Sequence, residues 1–166
     1  MNMFGKMKEK FGKESKGITI LAPMDGNVVS AGQINDPTFR EQFLGTTIGI
    51  QPAGNRVVAP VSGTISSIFE TGHALSIVSD DGVELIIHIG LDTVQLKGQF
   101  FKIHAKDGDT IKPGDLLIEF DKDEIIKAGY DVITPIIICN SAMFSDIETF
   151  TGKEVQELDE MIKLKK

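Results

Sequence analysis

Between Ile18 and Cys139 the chain is a succession of short apolar runs, none longer than a strand, separated by turn signals that hold glycine. Glycine enters backbone regions closed to other residues, so it ends a regular element and reverses the chain. That punctuation leaves little room for long amphipathic helices and predicts an all-β architecture. The candidate strands are Ile18–Ala22, Asn27–Ala31, Thr47–Gln51, Arg56–Ala59, Gly63–Ile68, Ala74–Ser79, Val83–Ile89, Gln99–His104, Leu116–Asp121 and Val132–Cys139. Met24-Asp25-Gly26, Pro52-Ala53-Gly54-Asn55, Ser62-Gly63, Asp80-Asp81-Gly82, Lys106-Asp107-Gly108 and Lys112-Pro113-Gly114 supply the turns. The spacing suits an antiparallel β sandwich or a partly closed barrel with short helices. One helix is expected over Lys122–Ala128, ended by Gly129, and another around Asp36–Phe43, with Asp36 as cap and Pro37 at the first helical position.

Composition narrows the class of function. Asp and Glu number 24 against 17 Lys and Arg, a formal charge of −7, which argues against a nucleic-acid partner. Hydrophobic residues at 41% and charged residues at 25% describe a globular chain with a core, not a disordered one. The one cysteine excludes an internal disulfide framework and a zinc ribbon. Nothing approaches roughly 18 consecutive apolar residues, and the first residues are too charged for a secretory signal. A soluble, cytoplasmic protein is expected. Residues 1–17 differ from the rest: Met3, Phe4, Met7 and Phe11 recur at helical spacing among Lys6, Lys8, Lys10 and Lys13. This is the pattern of an amphipathic tail suited to peripheral contact with an anionic membrane, or of a solvated tail.

There is an internal echo. Ala22-Pro23-Met24-Asp25-Gly26-Asn27-Val28-Val29 resembles Ala59-Pro60-Val61-Ser62-Gly63-Thr64-Ile65-Ser66, 37 positions later. A third segment, Asp107–Leu117, has the Gly-Asp pacing of lipoyl and biotinyl carrier domains. Recurrence of one turn unit suits a small duplicated β sandwich, although Ala-Pro-x-x-Gly is also simply a common turn.

The chemistry is expected at His73 and His88, which flank the Asp80-Asp81-Gly82 turn. Imidazole titrates near neutrality and serves as nucleophile or ligand. A two-residue loop at Asp80-Asp81 places the two histidines directly opposite, and a loop at Asp81-Gly82 leaves them diagonal on one face. A three-residue loop sends them to opposite faces. A lone histidine in an apolar strand is more often structural, but two that face each other point to function. Apolar surroundings would keep water from a phosphorylated ring and suit a docking protein. Asp92 and Thr71 stand close enough in sequence to orient the rings.

Gly82-Val-Glu-Leu-Ile-Ile-His88-Ile-Gly90-Leu-Asp92-Thr93-Val94 resembles the signature of the glucose-type IIA components of the bacterial phosphoenolpyruvate-dependent sugar phosphotransferase system. Phe69-Glu70-Thr71-Gly72-His73-Ala74 is similar to that family's second histidine segment. Ala59–Thr64, Leu96-Lys97-Gly98 and Gly114-Asp115 before Ile118-Glu119-Phe120 match as well. The resemblance runs from about Ile18 to Asn140, densest over about 36–140, and is loose beyond. It implies a β sandwich of the duplicated hybrid motif type, a single domain over 18–166, with a shallow apolar depression around the histidines. It further implies that His88 carries a phosphoryl group on Nε2, received from the histidine phosphocarrier protein, and that His73 helps pass it to the IIB domain of a membrane sugar permease. Thr71 and Asp92 belong to that site by resemblance, and Phe39, Phe43, Leu44 and Phe69 to the depression and its rim. Ile86 stands where relatives often have an aromatic residue. No cofactor is required; a zinc ion shared by His73, His88 and a partner's carboxylate is known in the family, as are regulatory target proteins.

Two other readings fare worse. A lysostaphin-like zinc hydrolase would use His88-x-x-x-Asp92 but also a downstream His-x-His, and His104 is followed by Ala105 and Lys106. A lipoyl-type carrier lacks the lysine at a hairpin tip. His104 reads as an ordinary strand residue, Cys139 as a buried small side chain, and Lys163, Lys165 and Lys166 as a solvated end.

Overall fold

The computed structural model describes residues 17–166. The tail expected over residues 1–17 lies outside them except for Gly17. Among the described residues are fourteen strands: β1 Ile18–Leu21, β2 Gly26–Ser30, β3 Thr46–Pro52, β4 Arg56–Val58, β5 Gly63–Ile68, β6 Ala74–Ser79, β7 Glu84–His88, β8 Phe101–Ile103, β9 Thr110–Ile111, β10 Leu116–Phe120, β11 Thr134–Ile138, β12 Asp146–Thr149, β13 Lys153–Val155 and β14 Glu160–Lys165. Two short helices join them, α1 Pro37–Arg40 and α2 Lys122–Lys127. Asp36 caps α1 through the Thr38 N–H at 2.9 Å, with Pro37 opening the helix. Asp121 caps α2 through the Glu124 N–H at 3.1 Å.

The strands pair antiparallel in an eight-stranded sheet, β13-β2-β3-β11-β7-β6-β5-β9, and two three-stranded sheets, β1-β14-β12 and β4-β10-β8. No barrel closes. The molecule is an all-β antiparallel sandwich, and one large buried cluster joins apolar residues of all three sheets.

The sequence echo is the visible trace of a duplication. Leu21 N–H donates to the Pro60 carbonyl at 3.0 Å, and Val58 N–H donates to the Pro23 carbonyl at 2.8 Å. Each bond is the other displaced by the 37-position repeat. The third segment has a partner too. Ala59 N–H donates to the Asp115 carbonyl at 2.8 Å as Ala22 N–H donates to that of Asp159 at 2.7 Å. Lys112 N–H reaches the Asp115 carboxylate at 2.9 Å, as Gln156 N–H reaches that of Asp159 at 2.8 Å. Strands β4 to β10 therefore repeat, in register, the set β1, β2, β3, β11, β12, β13 and β14. The pseudo-twofold axis passes between β7 and β11 at the Ile87–Ile136 pair.

Gly26 and Gly63 occupy equivalent places where a strand leaves its Ala-Pro turn against the next strand. A Cβ at Gly26 would lie 2.2 Å from the Gln51 carbonyl oxygen, and one at Gly63 2.3 Å from that of Val78. The glycine of Ala-Pro-x-x-Gly is a packing requirement imposed twice.

Three expectations need correction. The C-terminal end is more than a solvated one: Lys163, Lys165 and Lys166 are exposed as expected, but the first two lie on β14, whose Met161, Ile162 and Leu164 are buried against β1. The strand expected through His104 ends at Ile103, leaving His104 exposed and bonded through Nε2 to Glu119 at 2.5 Å. Cys139 falls one residue past β11 and is exposed, its thiol held above the usual range by partial burial and by Glu84. That is the wrong direction for a reactive thiolate.

Two measurements test this frame. Gly63→Ala should lower unfolding free energy by roughly 1–3 kcal/mol through overpacking, whereas Gly54→Ala, with nothing near its added Cβ, should change it by less than about 0.5 kcal/mol. Ile162→Ala should cost about 2–5 kcal/mol in urea unfolding if β14 is part of the core. A cost near zero would return that strand to the solvated tail.

Candidate functional site

The histidine pair forms, though by a route the hairpin argument did not foresee. In the register of β6 and β7, Ala74 lies opposite His88, and Ser79 and Val83 close a three-residue loop, Asp80-Asp81-Gly82. Strand alternation alone would then put His73 on the opposite face. His73 escapes it because it precedes β6 and belongs to a turn. Gly72 N–H donates to the Phe69 carbonyl at 2.8 Å, and Gly72 sits in the left-handed region at φ 74°. There the backbone swings round, the His73 carbonyl accepts the Ile89 N–H at 2.6 Å, and the side chain folds toward the end of β7. The two imidazole centroids lie 5.0 Å apart at 82°.

Each ring is fixed at one nitrogen. His88 Nδ1 is 2.7 Å from the Gly90 carbonyl oxygen, which can only accept, so Nδ1 carries the proton and Nε2 presents a lone pair. His73 Nδ1 is 2.5 Å from the Thr71 hydroxyl. If that hydroxyl donates, the neutral His73 ring carries its proton on Nε2 and has a donor to offer a neighbouring oxygen. Burial, then the facing His88, push His73 down to about 4. Burial also lowers His88, opposed by the Gly90 carbonyl and by the carboxylates of Asp36 and Asp92. Both rings are therefore neutral at pH 7: His73 is only 2% exposed and His88 is half-buried.

The rings stand in a row of four. Phe39 faces His88 at 5.0 Å between centroids, tilted 52°, and Phe69 meets His73 edge-on at 5.1 Å. A depression of about 470 Å³ opens beside His88, lined by Phe39, Leu44, Ser67, Phe69, Ala74, Leu75, Ser76, Ile86 and His88. Among the expected docking residues, Phe43 at 72%, Leu44 at 45% and Phe69 at 53% exposure stand free, and Ile86 is half-buried. Phe39 does not: at 7% exposure it belongs to a small second core with Ile34, Leu91, Ile133 and Ile137. It is a wall of the site, not a projecting contact.

Asp92 corrects a second expectation. It is exposed, in the left-handed region at φ 58°, and its side chain makes no hydrogen bond to either ring; Gly90 and Thr71 orient the pair. The Gly90 carbonyl was missed because a backbone oxygen leaves no signature in residue type. Its trace was position, two residues past His88 where β7 ends. The hydroxyls of Ser67 and Ser76, 3.2 Å apart on the floor of the depression, were missed also. Among the described residues no three His, Cys, Asp or Glu side chains converge as metal ligands. Two imidazoles fall short of the three protein ligands of even a catalytic zinc. This chain's residues do not fit a resident zinc ion, and His104, paired with Glu119, supplies no hydrolase ligand.

The family model described as the phosphoenolpyruvate-dependent sugar phosphotransferase system, EIIA 1, matches residues 18–144. The glucose-specific EIIA component of that system from Haemophilus influenzae is 39% identical over 166 residues, covering the whole of both chains. The beta-glucoside-specific EIIBCA component from Bacillus subtilis is 46% identical over 126 residues, 76% of this chain and 21% of that relative, so the chain spans about a fifth of its length. Among solved structures, the glucose permease IIA from Mycoplasma capricolum superposes with a TM-score of 0.84 at 34% identity, over 89% of this chain and 96% of that one.

The lowered His73 has a consequence for stability. A base whose folded value lies below its unfolded one stabilises the fold fully above the unfolded value, and that contribution is lost as pH falls. Here the window runs from about 6.5 down to about 4. Between pH 7 and pH 4.5 the wild-type melting temperature should fall further than that of His73→Gln. Parallel pH profiles would show that protonating His73 costs the fold nothing.

Proposed function

Because this chain belongs to the EIIA 1 family of the phosphoenolpyruvate-dependent sugar phosphotransferase system, we propose that it carries a phosphoryl group on His88 Nε2. The group comes from the histidine phosphocarrier protein and passes to the IIB domain of a sugar permease. The observation that carries this reading is the Nδ1–Gly90 bond, which leaves the Nε2 lone pair free on a neutral ring that lines the depression.

In the accepting step the Nε2 lone pair bonds to the phosphorus of the donor's phosphohistidine. The donor's N–P bond breaks, its electron pair stays on the donor ring, and the Nδ1 proton of His88 does not move. Transfer through a loose transition state needs alignment and charge stabilisation more than acid–base chemistry. Proton-bearing Nε2 of His73, set by the Thr71 hydroxyl, would hydrogen-bond a phosphoryl oxygen as charge shifts between nitrogens. A cationic His73 would bind the group more tightly and release it less readily. Its lowered basicity favours onward transfer.

Exposed Leu44 and Phe69 line the depression, and with the exposed Phe43 that precedes Leu44 they suit the apolar face of a docking protein, which also keeps water from the phosphohistidine. The IIB acceptor is supported by the relative that carries EIIA in one chain with EIIB and EIIC. Among the described residues no helix is long and apolar enough to cross a membrane. The chain's phosphorylation state would report sugar flux to regulatory targets.

Incubation with phosphoenolpyruvate, the first phosphotransferase enzyme and the histidine phosphocarrier should add one phosphate's mass, acid-labile and alkali-stable. His88→Ala should abolish the addition; persistent labelling would place the nucleophile elsewhere. His73→Gln should accept phosphate yet pass it to a IIB domain at least about a hundredfold more slowly. Unimpaired transfer would remove His73 from the reaction.

A further inference from the structure

We infer that Phe39 is a positioning residue for His88: its ring, fixed in the second small core, holds the imidazole plane so that Nε2 points into the depression. The inference rests on the phosphocarrier reading but concerns a different residue and a different observable.

The torsion that turns an imidazole about its Cβ–Cγ bond is broad, so packing must select the ring's angle. One hydrogen bond, Nδ1 to the Gly90 carbonyl at 2.7 Å, tethers one edge and leaves the ring free to rock about that line. Flat surfaces remove the remaining freedom. His73 lies on one side, nearly perpendicular, at 5.0 Å. The other contact is Phe39, also at 5.0 Å. His73, 2% exposed, is held by the Thr71 hydroxyl and meets an exposed Phe69, while Phe39, 7% exposed, is wedged among Ile34, Leu91, Ile133 and Ile137. Phe39 is thus the buried anchor on the far side of His88 from Phe69 in the row. Its backbone is anchored as firmly: the Phe39 N–H donates to the Asp36 carbonyl at 3.2 Å, and its own carbonyl accepts the Gln42 N–H at 3.0 Å. A docking residue would project; this one is buried against the ring that reacts.

Misalignment of a reacting atom by about 1 Å can cost on the order of a hundredfold in rate. Phe39→Leu and Phe39→Met keep an apolar side chain in the small core but remove the flat face. Each should lower kcat for phosphoryl acceptance by about tenfold or more, with KM for the histidine phosphocarrier within about twofold of wild type. In the unphosphorylated variants, nitrogen-15 spectra of the His88 ring should move from one Nδ1–H tautomer toward a mixture. A raised KM at unchanged kcat, with the tautomer intact, would make Phe39 a docking residue and overturn the inference. A lowered melting temperature with unchanged kcat, KM and spectrum would make it core alone and overturn it equally. Should neither variant fold, the wild-type spectrum decides: a single tautomer with proton contacts between the Phe39 and His88 rings supports the inference, and a mixture without them defeats it. Failure of wild-type protein to take phosphate on His88 would sink the phosphocarrier reading while leaving the tautomer experiment valid.

Discussion

The fold depends on the place where its two halves cross. Leu21 and Val58 each donate a backbone hydrogen bond to the proline carbonyl of the other half, at 3.0 and 2.8 Å. Proline has no N–H to pair, so its carbonyl is the group each half offers there, and the two Ala-Pro turns satisfy one another. Past the crossing each chain enters the eight-stranded sheet, with Gly26 and Gly63 admitted only because they lack a Cβ. Because this exchange requires both halves, neither closes without the other. That is the physical reason residues beyond Asn140 are structural: β13 and β14 complete the first half as β9 and β10 complete the second.

The site is where this symmetry is broken. By the strand registers, the equivalents of His73 and His88 in the other half are Thr46 and Ile137. Ile137 is fully buried and packs in the same small core as Phe39. One end of the duplicated sheet became interior and the other became a depression with two rings. The longer β2–β3 connection, which carries α1, brings Phe39 and Leu44 across to that depression, while the short turn before β6 supplies His73. A scaffold of equivalent halves thus presents a single site, walled partly by the half that lacks one.

How much of this the sequence disclosed follows from which forces leave a mark on residue order. The ten candidate strands appear within a few residues because alternation and turn glycines act locally. The helix at Pro37 was marked by its capping Asp36 and the one at Lys122 by the glycine that ends it, while the cap at Asp121 was read as the end of a strand. The C-terminal strands were not legible: where the second half has Pro113-Gly114-Asp115, the first has Glu157-Leu158-Asp159, with Leu158 holding the glycine's left-handed conformation at φ 75°. The histidine pair was expected for a reason that proved incomplete, since the hairpin register by itself separates His73 from His88. Only the turn at Gly72 reunites them, and turn geometry outside a regular strand has no period to read. Phe39 was legible as apolar and important, but neither composition nor spacing distinguishes a rim from a wall.

What remains is why such a site should be built from neutral groups in a chain of net charge −7. A phosphoryl group brings its own negative charge and must later leave, so strong cationic binding would trap it. The rings here are kept neutral by burial, and the nearby carboxylates of Asp36 and Asp92 act on His88 only from a distance. In the phosphocarrier reading, the opposing charge is best supplied transiently by whichever partner docks. The apolar lining at Leu44 and Phe69 excludes water from that encounter and strengthens each polar contact inside it. A weakly basic, rigidly held imidazole pair between two phenyl rings is then suited to a group that must be accepted and surrendered with little change in free energy.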